Sequence, residues 1–229
     1  PDLITVAGRR ALLEADVVVY DRLAPLRLLE LLDNDVEIID ASKRPDDHTL
    51  TQDEINSVIV ERAGRGLRVA RLKGGDSFVV GRGSEEALAC IDAGVPFTVI
   101  PGVTSAVAAP ALAGVPVTHR GVSQGFAVIT GHEIGDLSNL AATDLTVVVL
   151  MGVATLPSIV DEFRARDPRT AVAIVERAGT PRQRTTRGTL ATIVELALRE
   201  DVTNPAVIVI GNVVDVLAAS TRDLVEADA

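Results

Sequence analysis

The amino-acid sequence predicts an α/β protein made of two consecutive α/β domains. Strand-like apolar runs alternate with helix-like stretches through nearly all of the 229 residues, a pattern typical of a parallel sheet covered by helices. The chain is 47% apolar but only 2% aromatic, so its interior must be built from Val, Leu, Ile and Ala. Between residues 115 and 124 the composition changes to Pro, Thr, His, Arg, Gly and Ser. We place the junction of domains 1–118 and 119–229 there.

In the first domain, each expected strand is a short apolar run and each expected helix a longer stretch of mixed polarity. After a short helical segment near the start, strands are expected at residues 16–20, 36–39, 68–72 and 97–100. Helices are expected at residues 26–32, 51–63, 85–92 and 104–112. Thr51 with Glu54 three residues later predicts a capping box, and Thr104 or Ser105 can begin the last of these helices.

The second domain repeats the alternation of strands and helices. Its strands are expected at residues 126–130, 145–150, 171–175 and 206–210. Its helices are expected at residues 156–166 and 189–199. The segment 132–144 is polar and contains no arginine or lysine, so we expect an exposed loop there.

Charge and composition exclude several classes of function. The formal charge of −10, from 32 acidic and 22 basic residues, disfavours binding to nucleic acid or to an anionic membrane. There is no apolar run of about 18 residues that would span a membrane. The single cysteine, Cys90, rules out an intramolecular disulfide and suits the reducing cytoplasm. No Cys, His and Asp residues have metal-ligand spacing, so we predict no metal site.

The segment from residue 71 to residue 83 is typical of a ligand-binding loop. An apolar run delivers Lys73, Gly74, Gly75 and Asp76 at its carboxyl end, and Arg82 follows between two glycines. Glycines let a ligand approach the backbone closely because no Cβ stands in the way. In open α/β sheets, ligands bind at the carboxyl ends of the strands. We therefore predict a ligand loop that carries charges of both signs.

Motifs spread along nearly the whole chain resemble, in the same order, the uroporphyrinogen-III C-methyltransferases of the tetrapyrrole methylase family. The most specific are Lys-Gly-Gly-Asp at 73–76, Gly-Arg-Gly at 81–83 and Thr-His-Arg at 118–120. Others are Asp-Val-Val-Val-Tyr-Asp-Arg at 16–22, Lys-Arg at 43–44, Pro-Gly-Val-Thr at 101–104, Thr-Gly-His at 130–132, Leu-Met-Gly at 150–152 and Pro-Ala-Val-Ile-Val-Ile-Gly at 205–211.

The resemblance implies an enzyme of two α/β domains of the tetrapyrrole methylase type, with a cofactor cleft between them. Such an enzyme transfers methyl groups from S-adenosyl-L-methionine to two pyrrole carbons of uroporphyrinogen III, leaving S-adenosyl-L-homocysteine. The product is precorrin-2, the precursor of sirohaem and cobalamin. The family usually forms homodimers, so we expect a cytoplasmic homodimer whose partner is a small tetrapyrrole, with neither nucleic acid nor membrane.

The chain departs from the family pattern at its start. The family opens with an apolar strand and a Gly-x-Gly-Pro-Gly-Asp loop that touches the cofactor, whereas this sequence begins at Pro1, just past that loop. Either the sequence is an incomplete record or the protein lacks the loop. We expect the former, because a missing first strand would expose an edge in an otherwise regular sheet.

Two residues are candidates for the chemistry. Asp21, at the carboxyl end of an apolar run, occupies the family's base position, and Lys43 matches its proposed proton donor. A carboxylate near the ring can stabilise the positive charge of a methylated pyrrole and accept the proton that must leave. Asp21 can equally be a helix N-cap or the salt-bridge partner of Arg22, and the resemblance favours the catalytic role.

Uroporphyrinogen is a polycarboxylate, so an acidic protein needs locally concentrated arginines to bind it. We select Arg82 and Arg120 as anchors, with Arg22 and Arg44 as further candidates. Most other arginines are expected to be solvated surface charges. Glu85 can accept hydrogen bonds from pyrrole N–H groups, or it can interact with the dipole of the helix that follows.

The family pattern also assigns a set of cofactor-binding positions. Asp76 can bind ribose hydroxyl groups or an amino group, or it can cap its own turn. Thr104 and Ser105 can be helix N-caps, and Met151 can be core filler or present its backbone to the adenine. The full set is Gly74, Gly75, Asp76, Val79, Thr104, Ser105, Met151 and Ala178.

Other functions can be compared with the same motifs. A methylase acting on a later corrin precursor would share them, whereas an RNA-methylating relative would need a basic face that the charge disfavours. A dinucleotide-dependent dehydrogenase would need Gly-x-Gly-x-x-Gly after a strand, and Lys-Gly-Gly-Asp is not that motif. A catalytically silent binding module is a further alternative, since the first loop is absent from this sequence.

Overall fold

The structure of the chain, a computed structural model, describes residues 1–42 and 50–218. The chain forms two compact units, residues 1–104 and the residues from Ser105 onward. The junction predicted from composition, between residues 118 and 119, divides the chain at a different place and stays a prediction about its folding domains. Each unit contains one β-sheet and its own helices.

The first unit is built on a three-stranded parallel sheet. Its strands are β1 (Val17–Tyr20), β2 (Glu37–Asp40) and β3 (Val69–Leu72), in the order β2-β1-β3. Its helices are α1 (Val6–Leu13), a 3-10 helix (Leu26–Leu31), α2 (Gln52–Gly64) and α3 (Gly83–Asp92). The predicted capping box is confirmed, because Thr51 and Glu54 each bond the backbone N–H of the other at the start of α2.

The two-residue period of β1 divides the core of the first unit between the two faces of the sheet. Val19 belongs to a cluster that contains Cys90 of α3. Val18 lies on the opposite face, in a cluster with Leu12 of α1. Side chains at odd positions of β1 therefore face α3, and this alternation continues past the end of the strand to Asp21.

Residues 97–100, predicted as a strand, form no strand. Apolar residues make a strand only where a neighbouring strand accepts their backbone hydrogen bonds. Within the described part of the first unit, β3 pairs with β1 alone, and residues 95–104 have no regular secondary structure. Phe97 and Val99 are consequently exposed. The helix predicted at residues 26–32 is present as a 3-10 helix.

The second unit is built on a five-stranded mixed sheet. Its strands are β4 (Phe126–Thr130), β5 (Thr146–Leu150), β6 (Ala171–Glu176), β7 (Arg184–Thr189) and β8 (Ala206–Ile210), in the order β4-β5-β8-β6-β7. Its helices are α4 (Ser105–Leu112), α5 (Ser138–Ala141), α6 (Leu156–Glu162), α7 (Ile193–Arg199) and a 3-10 helix (Asn212–Asp215). Every residue of β5, β6 and β8 is buried, so these strands form the centre of the core.

The second sheet differs from the parallel sheet that the sequence predicts. β8 runs antiparallel to both of its neighbours, and β7 runs antiparallel to β6. β7 is missing from the prediction because its sequence, Arg-Thr-Thr-Arg-Gly-Thr, has no apolar residue to reveal a period. The helix predicted at residues 189–199 therefore begins only at Ile193. In addition, α6 ends before residue 166, and α5 lies within the segment predicted as a loop.

Candidate functional site

Asp21 lies where the central strand of the first sheet ends. The parallel register pairs Tyr20 with Leu72, so Asp21 follows β1 beside Lys73, which follows β3. The Asp21 backbone N–H extends the ladder by donating to the carbonyl oxygen of Leu72 at 3.3 Å. The Asp21 side chain is 33% exposed, so a ligand can reach its carboxylate. This is the edge at which open α/β sheets bind ligands.

Four charged side chains meet at this edge, and we refer to Asp21, Arg71, Lys73 and Glu86 as the charged cluster. A terminal guanidinium nitrogen of Arg71 donates to Asp21 Oδ1, and Arg71 Nε donates to Glu86 Oε1 at 2.9 Å. Lys73 Nζ lies 3.0 Å from Glu86 Oε1 and 3.8 Å from Asp21 Oδ2. The side chains of Arg71, Lys73 and Glu86 are 12%, 8% and 8% exposed. Asp21 is thus the member of the cluster that solvent reaches most.

Strand alternation brings the charged cluster together. Arg71 and Lys73, two residues apart, project from the same face of the sheet, which is the face that Asp21 shares. α3 packs on that face, and Glu86 lies one turn before the buried Cys90, so it points toward the sheet. Asp21 forms salt bridges with Arg71 and Lys73, whereas Arg22 is the partner that the sequence offered as an alternative to a catalytic role.

The glycines after β3 pack closely against other loops of the first unit. A Cβ on Gly74 would lie 3.1 Å from the carbonyl oxygen of Leu23, so the loop after β3 rests on the loop after β1. A Cβ on Gly102 would lie 2.1 Å from the carbonyl oxygen of Gly75. Asp76 accepts a backbone N–H of its own turn at 2.8 Å and the N–H of Gly102 at 2.9 Å. Asp76 therefore holds this turn, and its role toward a cofactor stays a prediction.

Arg82 and Glu85, both predicted to bind substrate, are paired with each other. Arg82 donates from Nε and from a terminal nitrogen to the two carboxylate oxygens of Glu85, at 2.8 and 2.7 Å. These hydrogen bonds hold the pKa of Glu85 below its ordinary value. Glu85 also lies in the first turn of α3, where a negative charge interacts favourably with the helix dipole. Both side chains are exposed, so the pair is open to a ligand.

Of the remaining candidates for catalysis and substrate binding, the structure describes Arg22 and Arg120. Lys43 and Arg44 lie outside the described residues. Arg22 follows Asp21 directly, and Arg120 lies in the turn closed by His119 and Ser123. Arg22 and Arg120 are exposed, and neither forms a salt bridge within residues 1–42 and 50–218. Unpaired guanidinium groups of this kind are suited to the capture of carboxylates.

In the second unit, Met151 follows β5 in a strained backbone conformation. Its φ of 57° lies in the left-handed region that residues with a side chain rarely adopt. The strand ends are tightly packed beside it, because a Cβ on Gly131 would lie 2.3 Å from the Cα of Gly152. Gly131 also donates its N–H to the carbonyl oxygen of Leu150 at 2.7 Å. Gly131 and Gly152 are both buried, so they serve the packing of these strand ends, whereas Met151 itself is exposed.

Ala178 lies in the loop after β6, at the same edge of the second sheet as Met151. β5 and β6 are both antiparallel to β8 between them, so they end at one edge, about 10 Å apart. The N–H of Gly179 donates to Gln183 Oε1 at 2.8 Å, and Gln183 Nε2 donates to the carbonyl oxygen of Leu112 at 3.0 Å. The Ala178 loop is therefore anchored to the end of α4.

The start of the Ala178 loop is fixed by a buried carboxylate, and we refer to Glu176 with Arg184 and Thr203 as the Glu176 clamp. Glu176 is fully buried at the end of β6. Arg184 donates to its two carboxylate oxygens at 2.5 and 2.9 Å, and the N–H of Thr203 donates at 2.9 Å. Burial alone would raise the pKa of Glu176, but these hydrogen bonds hold it below its ordinary value.

The residues predicted to bind the cofactor are all exposed or half-buried. Gly74, Gly75 and Ser105 are exposed, and Asp76, Val79, Thr104 and Ala178 are half-buried. Met151 is also exposed. Five of the eight lie in the first unit and three in the second. Their contacts with the cofactor stay predictions.

The contribution of Arg71, Lys73 and Glu86 to the charged cluster is not predicted from the sequence, although a signal is present. Arg71 and Lys73 have the two-residue spacing that places both on one face of a strand. Glu86 precedes Cys90 by four residues, the spacing of one helix face. These spacings indicate a charged cluster only once the strand face and the helix face are known to contact each other.

The described residues contain neither a cluster of metal ligands nor a membrane-spanning helix. Within them, no three His, Cys, Asp or Glu side chains come close enough together to hold a metal ion. None of the helices described is long and apolar enough to cross a bilayer. Cys90 is buried, and burial raises the pKa of its thiol. The prediction of no metal site is not tested by these observations.

Comparison with known protein families matches residues 1–194 to the Tetrapyrrole (Corrin/Porphyrin) Methylases. The chain is also similar to a protein of Methanocaldococcus jannaschii named uroporphyrinogen-III C-methyltransferase. The two are 48% identical over 227 residues, which cover 95% of this chain and 93% of that protein.

Two solved structures are similar in fold. The uroporphyrin-III C-methyl transferase of Thermus thermophilus, complexed with S-adenyl homocysteine, is 38% identical with a TM-score of 0.78, over 94% of each chain. A cobalt precorrin-4 methyltransferase of cobalamin biosynthesis is 25% identical with a TM-score of 0.83, over 94% of this chain and 91% of that chain. The α/β fold class predicted from the sequence is confirmed by these likenesses.

Proposed function

Because the chain belongs to the family of tetrapyrrole (corrin/porphyrin) methylases, we propose that it transfers methyl groups from S-adenosyl-L-methionine to uroporphyrinogen III. Two pyrrole carbons are methylated, and the product is precorrin-2, from which sirohaem and cobalamin derive. One observation carries this proposal: the 48% identity, over 95% of the chain, to a protein named for that activity. The charged cluster gives the activity a chemical basis within the first unit.

Asp21 is the group that takes up the proton released by methylation. A methylated pyrrole carbon leaves a positive charge on the ring, and a neighbouring carbon must lose a proton to remove it. When bound, S-adenosyl-L-methionine supplies a methyl group already activated by its sulfonium. The C–H electron pair returns to the ring while the proton moves to Asp21 Oδ2, which lies 3.8 Å from Lys73 Nζ. Arg71 holds Oδ1 and so fixes the orientation of the carboxylate.

Arginine side chains bind the carboxylates of the tetrapyrrole. Arg22 and Arg120 are exposed and present unpaired guanidinium groups among the described residues, so each can form a bidentate pair with a carboxylate. Arg82 shares its guanidinium with Glu85 and can accept a substrate carboxylate only in competition with it. Lys43 as proton donor and Arg44 as a further anchor stay predictions, because both lie outside the described residues.

Methylation of uroporphyrinogen III by the purified protein tests the proposal directly. The protein is incubated anaerobically with uroporphyrinogen III and isotope-labelled S-adenosyl-L-methionine, and the product is measured by mass spectrometry. We expect the mass to rise by one and then two labelled methyl groups. A protein that leaves uroporphyrinogen unlabelled contradicts the proposal.

The same experiment separates two alternatives when it includes a titration with S-adenosyl-L-homocysteine. A methylase of a later corrin precursor would bind S-adenosyl-L-homocysteine but leave uroporphyrinogen unmethylated. The fold likeness to the cobalt precorrin-4 methyltransferase makes this alternative concrete, although the identity to that protein is only 25%. A silent binding module would leave uroporphyrinogen unmethylated and would not bind S-adenosyl-L-homocysteine.

A homodimer and a cytoplasmic location complete the proposal. Both are implied by the family resemblance, and the lone buried cysteine is compatible with a reducing compartment. Sedimentation of the purified protein at micromolar concentration tests the dimer, and fractionation of cells tests the location. A monomer, or protein recovered with the membranes, would contradict the corresponding part.

A further inference from the structure

Glu86 lies inside the first unit, where it cannot contact a substrate directly. Its side chain is 8% exposed. Its Oε1 accepts from Arg71 Nε at 2.9 Å, from Lys73 Nζ at 3.0 Å and from Gln52 Nε2 at 3.4 Å. A carboxylate this buried is retained only when cations and hydrogen bonds compensate its loss of water. Any effect of Glu86 on chemistry must therefore pass through the groups that it holds.

The two cations that Glu86 holds are the same two that contact Asp21. Arg71 lies between the two carboxylates, with Nε on Glu86 and a terminal nitrogen on Asp21. Lys73 is shared unequally, at 3.0 Å from Glu86 and 3.8 Å from Asp21. Two positive and two negative charges make the cluster neutral as a whole.

The backbone fixes Arg71 in its position between the carboxylates. One of its terminal nitrogens donates to the carbonyl oxygens of Val19 and Leu72, both at 3.3 Å. These carbonyls belong to β1 and β3, so the guanidinium is tied to both strands. The Arg71 guanidinium therefore contacts both carboxylates from a position that the backbone of both strands also restrains.

We propose that Glu86 is a positioning residue for methyl transfer. Through Arg71 and Lys73 it fixes the orientation of the Asp21 carboxylate, and it keeps the two cations from neutralising that carboxylate together. The inference rests on the proposed function, because it assigns Asp21 the role of proton acceptor. Removing the charge of Glu86 leaves both cations with Asp21 as their only carboxylate in the cluster, and a carboxylate paired with two cations is a poorer proton acceptor.

The test is Glu86→Gln, which keeps the shape of the side chain and removes its charge. We expect kcat for methylation of uroporphyrinogen III to fall by about tenfold or more, because proton removal is impaired. KM for uroporphyrinogen III and the affinity for S-adenosyl-L-homocysteine should change by less than about twofold, because Glu86 touches neither ligand. The matched control is Glu61→Gln, which removes the same charge from an exposed position of α2 and should leave kcat unchanged.

A double-mutant cycle with Asp21→Asn distinguishes a positioning role from a merely structural one. If Glu86 acts through Asp21, Glu86→Gln should change kcat by less than about twofold in the Asp21→Asn background. An equal loss of kcat in both backgrounds would overturn the inference, as would full activity of Glu86→Gln. If Glu86→Gln does not fold, the same cycle is run with Glu86→Asp, which keeps the charge but withdraws the carboxylate by one methylene group from its contacts with Arg71 and Lys73. A loss of kcat that disappears in the Asp21→Asn background supports the inference, and no loss or an equal loss in both backgrounds overturns it.

Failure of this inference is distinguishable from failure of the proposed function. A wild-type protein that methylates uroporphyrinogen III while Glu86→Gln is equally active overturns the inference and leaves the proposed function standing. A wild-type protein that transfers no methyl group to uroporphyrinogen III overturns both.

Discussion

Glu86 in the first unit and Glu176 in the second are both buried and both surrounded by cations, but the two arrangements end differently. Arg184 and Thr203 direct hydrogen bonds onto Glu176, and Arg184 also donates to the carbonyl oxygen of Asp201. In the first unit, the cations on Glu86 continue to Asp21, a second carboxylate that is 33% exposed. The Glu176 clamp ends at the surface in a cation, Arg184, whose side chain is 44% exposed, whereas the charged cluster ends there in a carboxylate that can accept a proton.

The difference shows that burial and pairing of a carboxylate do not by themselves indicate a catalytic site. Both glutamates satisfy the rule that a buried charge is paired and hydrogen-bonded. What separates them is the second carboxylate, Asp21, at the carboxyl end of a central parallel strand. We therefore expect changes in the charged cluster to affect methyl transfer and changes in the Glu176 clamp to affect the stability of the fold.

Asp21→Asn should give the largest effect. An asparagine keeps the size of the side chain but accepts a proton far less readily, so kcat for methyl transfer should fall by about a thousandfold, equivalent to about 4 kcal/mol of activation free energy. The affinity for S-adenosyl-L-homocysteine should stay within about twofold, because the change is confined to the acceptor. Turnover of labelled S-adenosyl-L-methionine and calorimetry of S-adenosyl-L-homocysteine measure the two quantities.

Asp33→Asn is the matched control, since it makes the same substitution at an exposed position of the first unit. It should leave both quantities unchanged. If Asp21→Asn retained full activity, Asp21 would not be the proton acceptor. The difference between Glu86 and Glu176 would then no longer indicate which of them belongs to a catalytic site.

Glu176→Gln should lower the free energy of unfolding by about 3 kcal/mol at pH 7, because it leaves Arg184 and Thr203 without their carboxylate. Since the folded-state pKa of Glu176 is lowered, its contribution is present above the ordinary glutamate pKa and is lost as the pH falls through the folded-state value. The difference between wild type and Glu176→Gln should therefore shrink below about pH 4. Chemical denaturation at pH 7 and in this acidic range measures it.

Glu195→Gln, an exposed glutamate of α7, is the control for that comparison and should change the free energy of unfolding by less than about 0.5 kcal/mol. A difference between wild type and Glu176→Gln that stayed constant across the acidic range would show that the charge of Glu176 is not what stabilises the second unit.

Several elements can be predicted from the sequence because their signal is local. The strands at 126–130 and 206–210 are correct to the residue, since each is an apolar run bounded by polar or turn-forming residues. The direction of β8 is not predictable in this way, because an apolar run looks the same in a parallel and an antiparallel pair. β7 escapes prediction for the opposite reason, since its backbone pairing with β6 places a wholly polar segment in the sheet.

In the candidate site too, some features depend on the local sequence and others on contacts between distant residues. The position of Asp21 at a strand end follows from the run of valines before it and from the family motif. Its partners do not, because β3 and α3 bring Arg71 and Glu86 from 50 and 65 positions further along the chain. Such a cluster can be recognised only once the register of the sheet and the packing of the helix are known.

Gly131→Ala tests how rigid the second unit is at the edge that carries Met151. An added Cβ would lie 2.3 Å from the Cα of Gly152, a backbone atom that cannot move alone, so the free energy of unfolding should fall by about 2 kcal/mol. Gly135→Ala is the matched control, because a Cβ there meets nothing within 4 Å among the described residues, and it should be neutral or slightly stabilising. Equal effects in thermal unfolding would contradict the tight packing of these strand ends.

Arg120→Ala should give the smallest of these effects. It tests whether an unpaired arginine contributes more to substrate binding than an arginine in a salt bridge. Because the Arg120 guanidinium has no salt bridge among the described residues, its full charge can meet a substrate carboxylate, and its loss should weaken uroporphyrinogen binding by about tenfold. The loss should diminish at high salt, since added ions screen an exposed pair. Arg164→Ala, which removes an exposed arginine already paired with Asp161, should leave the affinity unchanged. Equal affinities of Arg120→Ala and Arg164→Ala would mean that the substrate responds to overall charge and not to a guanidinium at this turn.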